Sequence, residues 1–277
     1  MAALARLCSV SGDLHFAFCI LNYVRSFHWW RTVFYLIPAI TLYTIVLGTL
    51  SLGSSLFQKT GYFAHWCARL WSRLILATTG VRVQVSGIER LEPGRTYVFV
   101  ANHQSIYDIP ILFASLPYQL RIIAKESLGH VPFLGWHLRR TGHMLVDRRR
   151  PDRSRIFEWA SRLTSNGLSL IVFPEGTRSR DGRVARFKGG SFHLALEAGL
   201  PVVPLSVIGS RHVMLKGRLA TYPGEVQLVV HEPIDTQALA EVDRKAFGER
   251  VRCVIAPEAE SDLSVEPPDF DPFHARA

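Results

Sequence analysis

Two residues in 101-ANHQSIYDIP-110, His103 and Asp108, raise the first chemical question. A carboxylate that accepts from one imidazole nitrogen fixes the ring's tautomer and stabilises its cationic form. The other nitrogen is then free to take a proton from an alcohol. The separation is long enough for a loop to turn into a helix and bring the carboxylate back to the ring. A histidine that only bonds within its own loop fits the same spacing. No G-x-S-x-G nucleophile elbow occurs, since 189-GGSFH-193 lacks the closing glycine. A base without a nucleophile of its own suits direct attack by a substrate hydroxyl.

A second stretch, 172-VFPEGTRSRDGRVARFKGG-190, combines a turn with cations. Pro174 and Gly176 make a tight turn whose backbone N–H groups can face a ligand. Arg178 offers a planar fork suited to a phosphate, and Glu175 can orient it or hold a substrate hydroxyl. Arg178, Arg180, Arg183, Arg186 and Lys188 lie close together, so the stretch also reads as a solvated basic loop.

The elements that must position these residues alternate. Val81, Val83 and Val85, then 97–101, 121–124, 143–146, 168–173, 201–207 and 226–230, read as short strands; 107–116, 151–166 and 188–199 read as helices. The expected fold is α/β, a mixed and largely parallel sheet flanked by helices. His103 and Asp108 follow one strand, Lys125 the next, Asp147 and Arg148 another, and PEGTRS (174–179) another. If the strands are parallel, four polar clusters share the crevice beyond their carboxyl ends.

Thr32 to Phe57 contains no charged residue and is long enough to cross a hydrocarbon core of ~30 Å. Pro38 and the Gly/Ser cluster at 48–55 leave room for a bent or re-entrant hairpin. Trp29, Trp30 and Arg31, then Gln58 and Lys59, stand as interfacial anchors. In 61–80, Phe63, Trp66, Leu70 and Leu74 recur at helical spacing while His65, Arg69 and Arg73 share a polar side. That segment suits either the headgroup layer or packing on its own domain. The chain therefore divides into a hydrophobic and amphipathic helical membrane anchor (1–79), a folded domain (80–257) and an acidic, proline-bearing tail (258–277) expected to be disordered.

Lys and Arg outnumber Asp and Glu by 32 to 23, which favours an anionic partner. The basic stretch lacks interleaved aromatics and no nucleic-acid-binding signature appears, so nucleic acid is not expected. The four cysteines form no C-x-x-C pair, so neither a zinc site nor a disulfide framework is expected.

NHQSIYD (102–108), KESLGHVPFLG (125–135), GHMLVDR (142–148), FPEGTRS (173–179), FKGGSFHLAL (187–196) and VVPLSV (202–207) together resemble the 1-acylglycerol-3-phosphate acyltransferases, with their NHx4D type of motif. The resemblance covers roughly 80–210, with the blocks in the family's order. It implies His103 as general base with Asp108 orienting it. Arg178, with Glu175, Gly176 and Thr177, would bind the acceptor's phosphate, Lys125 and Arg148 would assist, and Val202, Val203 and Pro204 would form an acyl-binding side. It implies acyl transfer from acyl-CoA or acyl carrier protein to lysophosphatidic acid, without metal or other cofactor, at the bilayer on the cytoplasmic face of the inner membrane or its equivalent. Another lysolipid or glycerol 3-phosphate as acceptor, or a non-catalytic lipid-binding role, would leave the same residues in place.

Overall fold

The structure, a computed structural model, describes residues 27–54, 61–147, 152–197, 199–237 and 243–265. Seven strands form one sheet: β1 (Val81–Ser86), β2 (Val98–Ala101), β3 (Leu120–Lys125), β4 (Met144–Val146), β5 (Ser169–Val172), β6 (Val202–Ile208) and β7 (Gly224–Val230). Their order is β1-β7-β6-β2-β5-β3-β4. β2 pairs in parallel with β5 and β6, and β3 with β4 and β5. β7 runs antiparallel to β6 and carries β1 parallel to itself. The carboxyl ends of β2 to β6 thus share one edge, as the sequence argument required.

β2 and β6 are buried along their whole length, which explains their continuous apolar sequences. Phe99 and Ala101 face one apolar cluster, with Ile111, Leu112 and Val203; Val98 and Val100 face another, with Phe192, Phe247 and Val251. Helices therefore cover both faces of the sheet. They are α1 (Phe27–Ser54), α2 (Tyr62–Thr79), α3 (Asp108–Ser115), α4 (Leu134–Arg140), α5 (Arg153–Ser165), α6 (His193–Glu197), α7 (Ser210–Val213) and α8 (Arg244–Ala259).

α1 is one continuous helix of 28 residues rather than a hairpin. A π-helical turn at Thr32–Leu36 precedes Pro38, whose missing N–H and ring disturb the regular ladder there. Only 11% of its most apolar stretch is buried, so it is not a core helix. α2 buries Ala64, His65, Cys67, Ser72, Ile75 and Leu76 and exposes Tyr62, Phe63 and Trp66. His65 is turned inward, Arg73 is exposed and the aromatic side faces out.

The tail reading is corrected over 258–265. α8 continues to Ala259, because Phe247, Val251, Ile255 and Ala259 repeat every four residues and all four are buried. Beyond it, the Val184 N–H donates to Glu260 Oε1 (2.8 Å) and His212 Nε2 pairs with Asp262 Oδ2 (3.0 Å). Acidic side chains here meet specific partners instead of solvent. Residues 266–277, like Gln58 and Lys59, lie outside the described residues.

Candidate active site

The segment between β2 and α3 folds around one carboxylate. Asp108, wholly buried at the start of α3, accepts through Oδ2 from His103 Nδ1 (2.8 Å), the Gln104 N–H (2.8 Å) and the Ser105 N–H (3.0 Å). Three donors on one oxygen fix where the imidazole sits. With Nδ1 engaged by the carboxylate, the nitrogen left for a ligand is Nε2, which has no hydrogen-bond partner among the described residues. The ring stacks on Phe173, centroids 4.2 Å apart and planes 25° from parallel. An aromatic face there holds the ring orientation.

Phe173 directly follows β5, the neighbour of β2, and the next residues turn back under the histidine. Glu175 Oε1 accepts the His103 backbone N–H (2.8 Å) and Oε2 accepts the Ala185 N–H (3.1 Å). Burial pushes its pKa up to about 7, against the pull of those two N–H groups, and the nearby Asp108 and Asp181 carboxylates add to the rise. The Ser179 N–H donates to the His103 carbonyl (2.7 Å), so the two loops are joined on both sides. Gly176 holds φ +74°, and a Cβ there would sit 2.5 Å from Lys188 Nζ. Only glycine fits that turn while the ammonium lies over it.

Arg178 is half-buried in this turn, and its guanidinium has no hydrogen bond or ion pair among the described residues. Lys216 Nζ donates to the Arg178 carbonyl (2.6 Å) and to Thr177 Oγ1 (3.0 Å), adding a cation that the sequence did not single out. Desolvation, then Arg180 and Arg178, lowers the Lys216 pKa. Glu175 partly offsets this, but cations outnumber carboxylates around the turn, which suits an anionic ligand.

His103, Asp108 and Glu175 are joined directly, and Gly176, Thr177 and Arg178 form the adjoining turn. Lys125 ends β3 on the same edge, one strand from that turn, with its side chain exposed. Arg148 lies outside the described residues. Val202, Val203 and Pro204 are not at an acyl surface: each is buried within β6, paired in register with Val98, Phe99 and Val100. Their apolar character serves the sheet's core.

The Asn102 side chain supplies a pairing that its position alone could not reveal. Its Nδ2 donates to the Val207 carbonyl (2.9 Å) and its Oδ1 accepts the Val207 N–H (2.8 Å), extending the β2–β6 ladder by one residue. Gln104 Nε2 donates to the Gly182 (2.7 Å) and Ala259 (3.1 Å) carbonyls, tying the loop to α8.

A family model for acyltransferases matches residues 82–208, the span that holds the dyad and the turn. Over these residues the chain is similar to acyltransferases. A 1-acyl-sn-glycerol-3-phosphate acyltransferase of Chlamydomonas reinhardtii is 33% identical over 208 residues, 74% of this chain and 62% of that protein. The human 1-acyl-sn-glycerol-3-phosphate acyltransferase alpha is 34% identical over 175 residues, 62% of each chain. This chain thus spans about three-fifths of the length of these curated relatives. The crystal structure of the 1-acyl-sn-glycerophosphate (LPA) acyltransferase PlsC from Thermotoga maritima superposes with a TM-score of 0.74 at 28% identity, covering 89% of this chain and 98% of that one.

The sheet domain meets the N-terminal helices around two apolar cavities. One of about 160 Å³ lies among α2, α3, α4 and the C-terminal half of α1, lined by Leu47, Cys67, Ala68, Phe113 and Leu138. The other, of about 500 Å³, runs along α1 and reaches Met214 and Leu219. Ile106 and Pro110, on either side of the Asp108 carboxylate, line both.

Proposed function

We propose that the chain transfers an acyl group from a thioester donor, acyl-CoA or acyl carrier protein, to the free hydroxyl of 1-acylglycerol 3-phosphate, giving phosphatidic acid at a membrane surface. The observation that carries this reading is His103, with Nδ1 committed to Asp108 and Nε2 left open, on the strand next to an unpaired arginine turn. Nε2 takes the acceptor's hydroxyl proton as its oxygen attacks the thioester carbon. The tetrahedral adduct collapses with cleavage of the C–S bond, and the imidazolium returns the proton to the leaving thiolate. Asp108 stabilises the imidazolium between the two transfers. Charge and atoms balance without a metal or redox cofactor. Arg178 and Lys216 hold the phosphate, and the apolar cavities beside Ile106 receive hydrocarbon. The names of the relatives supply the acceptor class.

The test is purified protein offered both donor types and a panel of acceptors, including glycerol 3-phosphate and other lysolipids, with products read by mass. The expected product is phosphatidic acid from the lysophosphatidic acceptor. His103→Ala should lower turnover about 10²–10⁴-fold. Arg178→Ala should mainly raise KM for the phosphorylated acceptor, by roughly the 1.5–3 kcal/mol of one charge-assisted contact. Undiminished turnover in His103→Ala sinks the mechanism; an Arg178→Ala effect confined to the donor reassigns that arginine.

A further inference from the structure

Phe133 is the one non-glycine residue with positive φ among the described residues, at φ 60° and ψ −53°. The Leu134 N–H donates across it to the Pro132 carbonyl (2.6 Å), closing a γ-turn that a bulky side chain rarely adopts. The turn is held from outside: a Cβ at Gly48 of α1 would meet Phe133 Cβ at 3.0 Å, and the Phe133 and Trp136 rings lie 5.2 Å apart. Phe133 lines both apolar cavities. Strain maintained at such a position points to a functional constraint.

We propose that the larger cavity holds the acceptor's own hydrocarbon chain and that Phe133 separates it from the smaller cavity. This rests on the proposed lysophospholipid acceptor. Three features assign the occupant. The cavity runs along Ile37, Ile40 and Ile45 of α1, the helix most open to a bilayer, from which a lysolipid arrives. Its far side is Met214, whose carbonyl accepts from Ser105 Oγ (2.8 Å) in the dyad loop. Two residues on, Lys216 bonds the phosphate turn, so one short segment spans the chain cavity and the anion site. An acceptor with phosphate at Arg178 and hydroxyl at His103 thus finds its chain's path beside Met214. The smaller cavity, away from that segment, is left for a second chain.

The experiment measures kcat/KM against chain length for acceptor and donor separately. Ile37→Trp narrows the larger cavity only. It should cut kcat/KM for long-chain acceptors about tenfold or more relative to short ones, with the donor profile unchanged. Phe133→Ala should broaden both profiles. A donor profile that moves instead reverses the assignment, and acceptor profiles untouched by Ile37→Trp overturn it, the chain then staying in the lipid. A lysophosphatidic acid bearing a diazirine in its chain gives a readout independent of turnover and of the variants. Photolabel is expected in 36–41 and 131–132 of the wild-type protein, which line the larger cavity alone; label confined to 47–48 and 67–68, which line the smaller one alone, or none, overturns the proposal. Absence of turnover together with label in 36–41 would count against the proposed reaction and for the cavity.

Discussion

At the scale of single residues, the dyad is defined by what each oxygen and nitrogen is already doing. Asp108 Oδ2 has three donors, so its carboxylate serves to orient the imidazole and the loop. Glu175 is the residue whose charge depends on pH in the working range. Its folded pKa of about 7 stands above the ordinary 4.5. A carboxyl raised in this way contributes stability below 4.5, and that contribution is lost as pH rises through about 7, on the order of 3 kcal/mol across the window. Glu175→Gln cannot ionise, so its Tm should fall less than that of the wild type between pH 5 and 8. The check is thermal unfolding of both proteins across that range. Parallel curves would mean that Glu175 does not titrate there.

At the scale of elements, the C-terminal segment is a support for the catalytic loop. Gln104, adjacent to the base, is anchored to the Ala259 carbonyl; Glu260 accepts from Val184; Asp262 accepts from the Gly209 N–H (3.1 Å) and His212. Replacing Glu260 and Asp262 together by Ala removes the side-chain acceptors at about 1 kcal/mol each. Unfolding should shift down by roughly 4–8 °C, and kcat should fall more than KM rises. A lowered Tm with both kinetic constants unchanged would make the segment purely structural. This strut was not legible in the sequence, because the buried face of α8 is four residues among charges, and acidic residues after Pro257 look solvated until their partners, 50 to 76 positions away, are known. Lys216 was hidden for the same reason, being 38 residues from the turn it bonds. The parallel strands and the His103–Asp108 pairing were legible because their signals are local: apolar runs of strand length, and an imidazole and a carboxylate five residues apart. Val202, Val203 and Pro204 misled because a strand buried on both faces and an apolar ligand wall have the same composition.

For the whole molecule, the question is how α1 meets the bilayer. At 1.5 Å per residue, Thr32 to Ser51 covers about 28 Å, close to a full hydrocarbon core. Yet the helix bonds to the domain along all of that length. Thr32 Oγ1 accepts the Thr221 N–H (3.0 Å), Trp71 Nε1 donates to Thr44 Oγ1 (3.0 Å), and Ser51 Oγ pairs with His137 Nδ1 (2.7 Å). A helix crossing the bilayer perpendicularly would carry the domain into it, at a prohibitive cost for its charged surface. α1 lies along the domain, and at the membrane surface of the proposed function its outer face would sit in one leaflet. Exposed Trp29, Trp30, Phe34 and Tyr35 on α1, and Tyr62, Phe63 and Trp66 on α2, form the aromatic surface expected at a headgroup boundary. Single-tryptophan variants in vesicles test this geometry. Emission from a protein retaining only Trp66 should be quenched strongly by lipids brominated near the headgroup and less by those brominated near the chain end. Trp159 of α5, packed against Met144, Val146 and Leu170 on the opposite face of the sheet, should be quenched by neither. Equal quenching of the two tryptophans would place the domain differently, and strongest quenching of Trp66 at the chain end would mean that α2 penetrates beyond the interface.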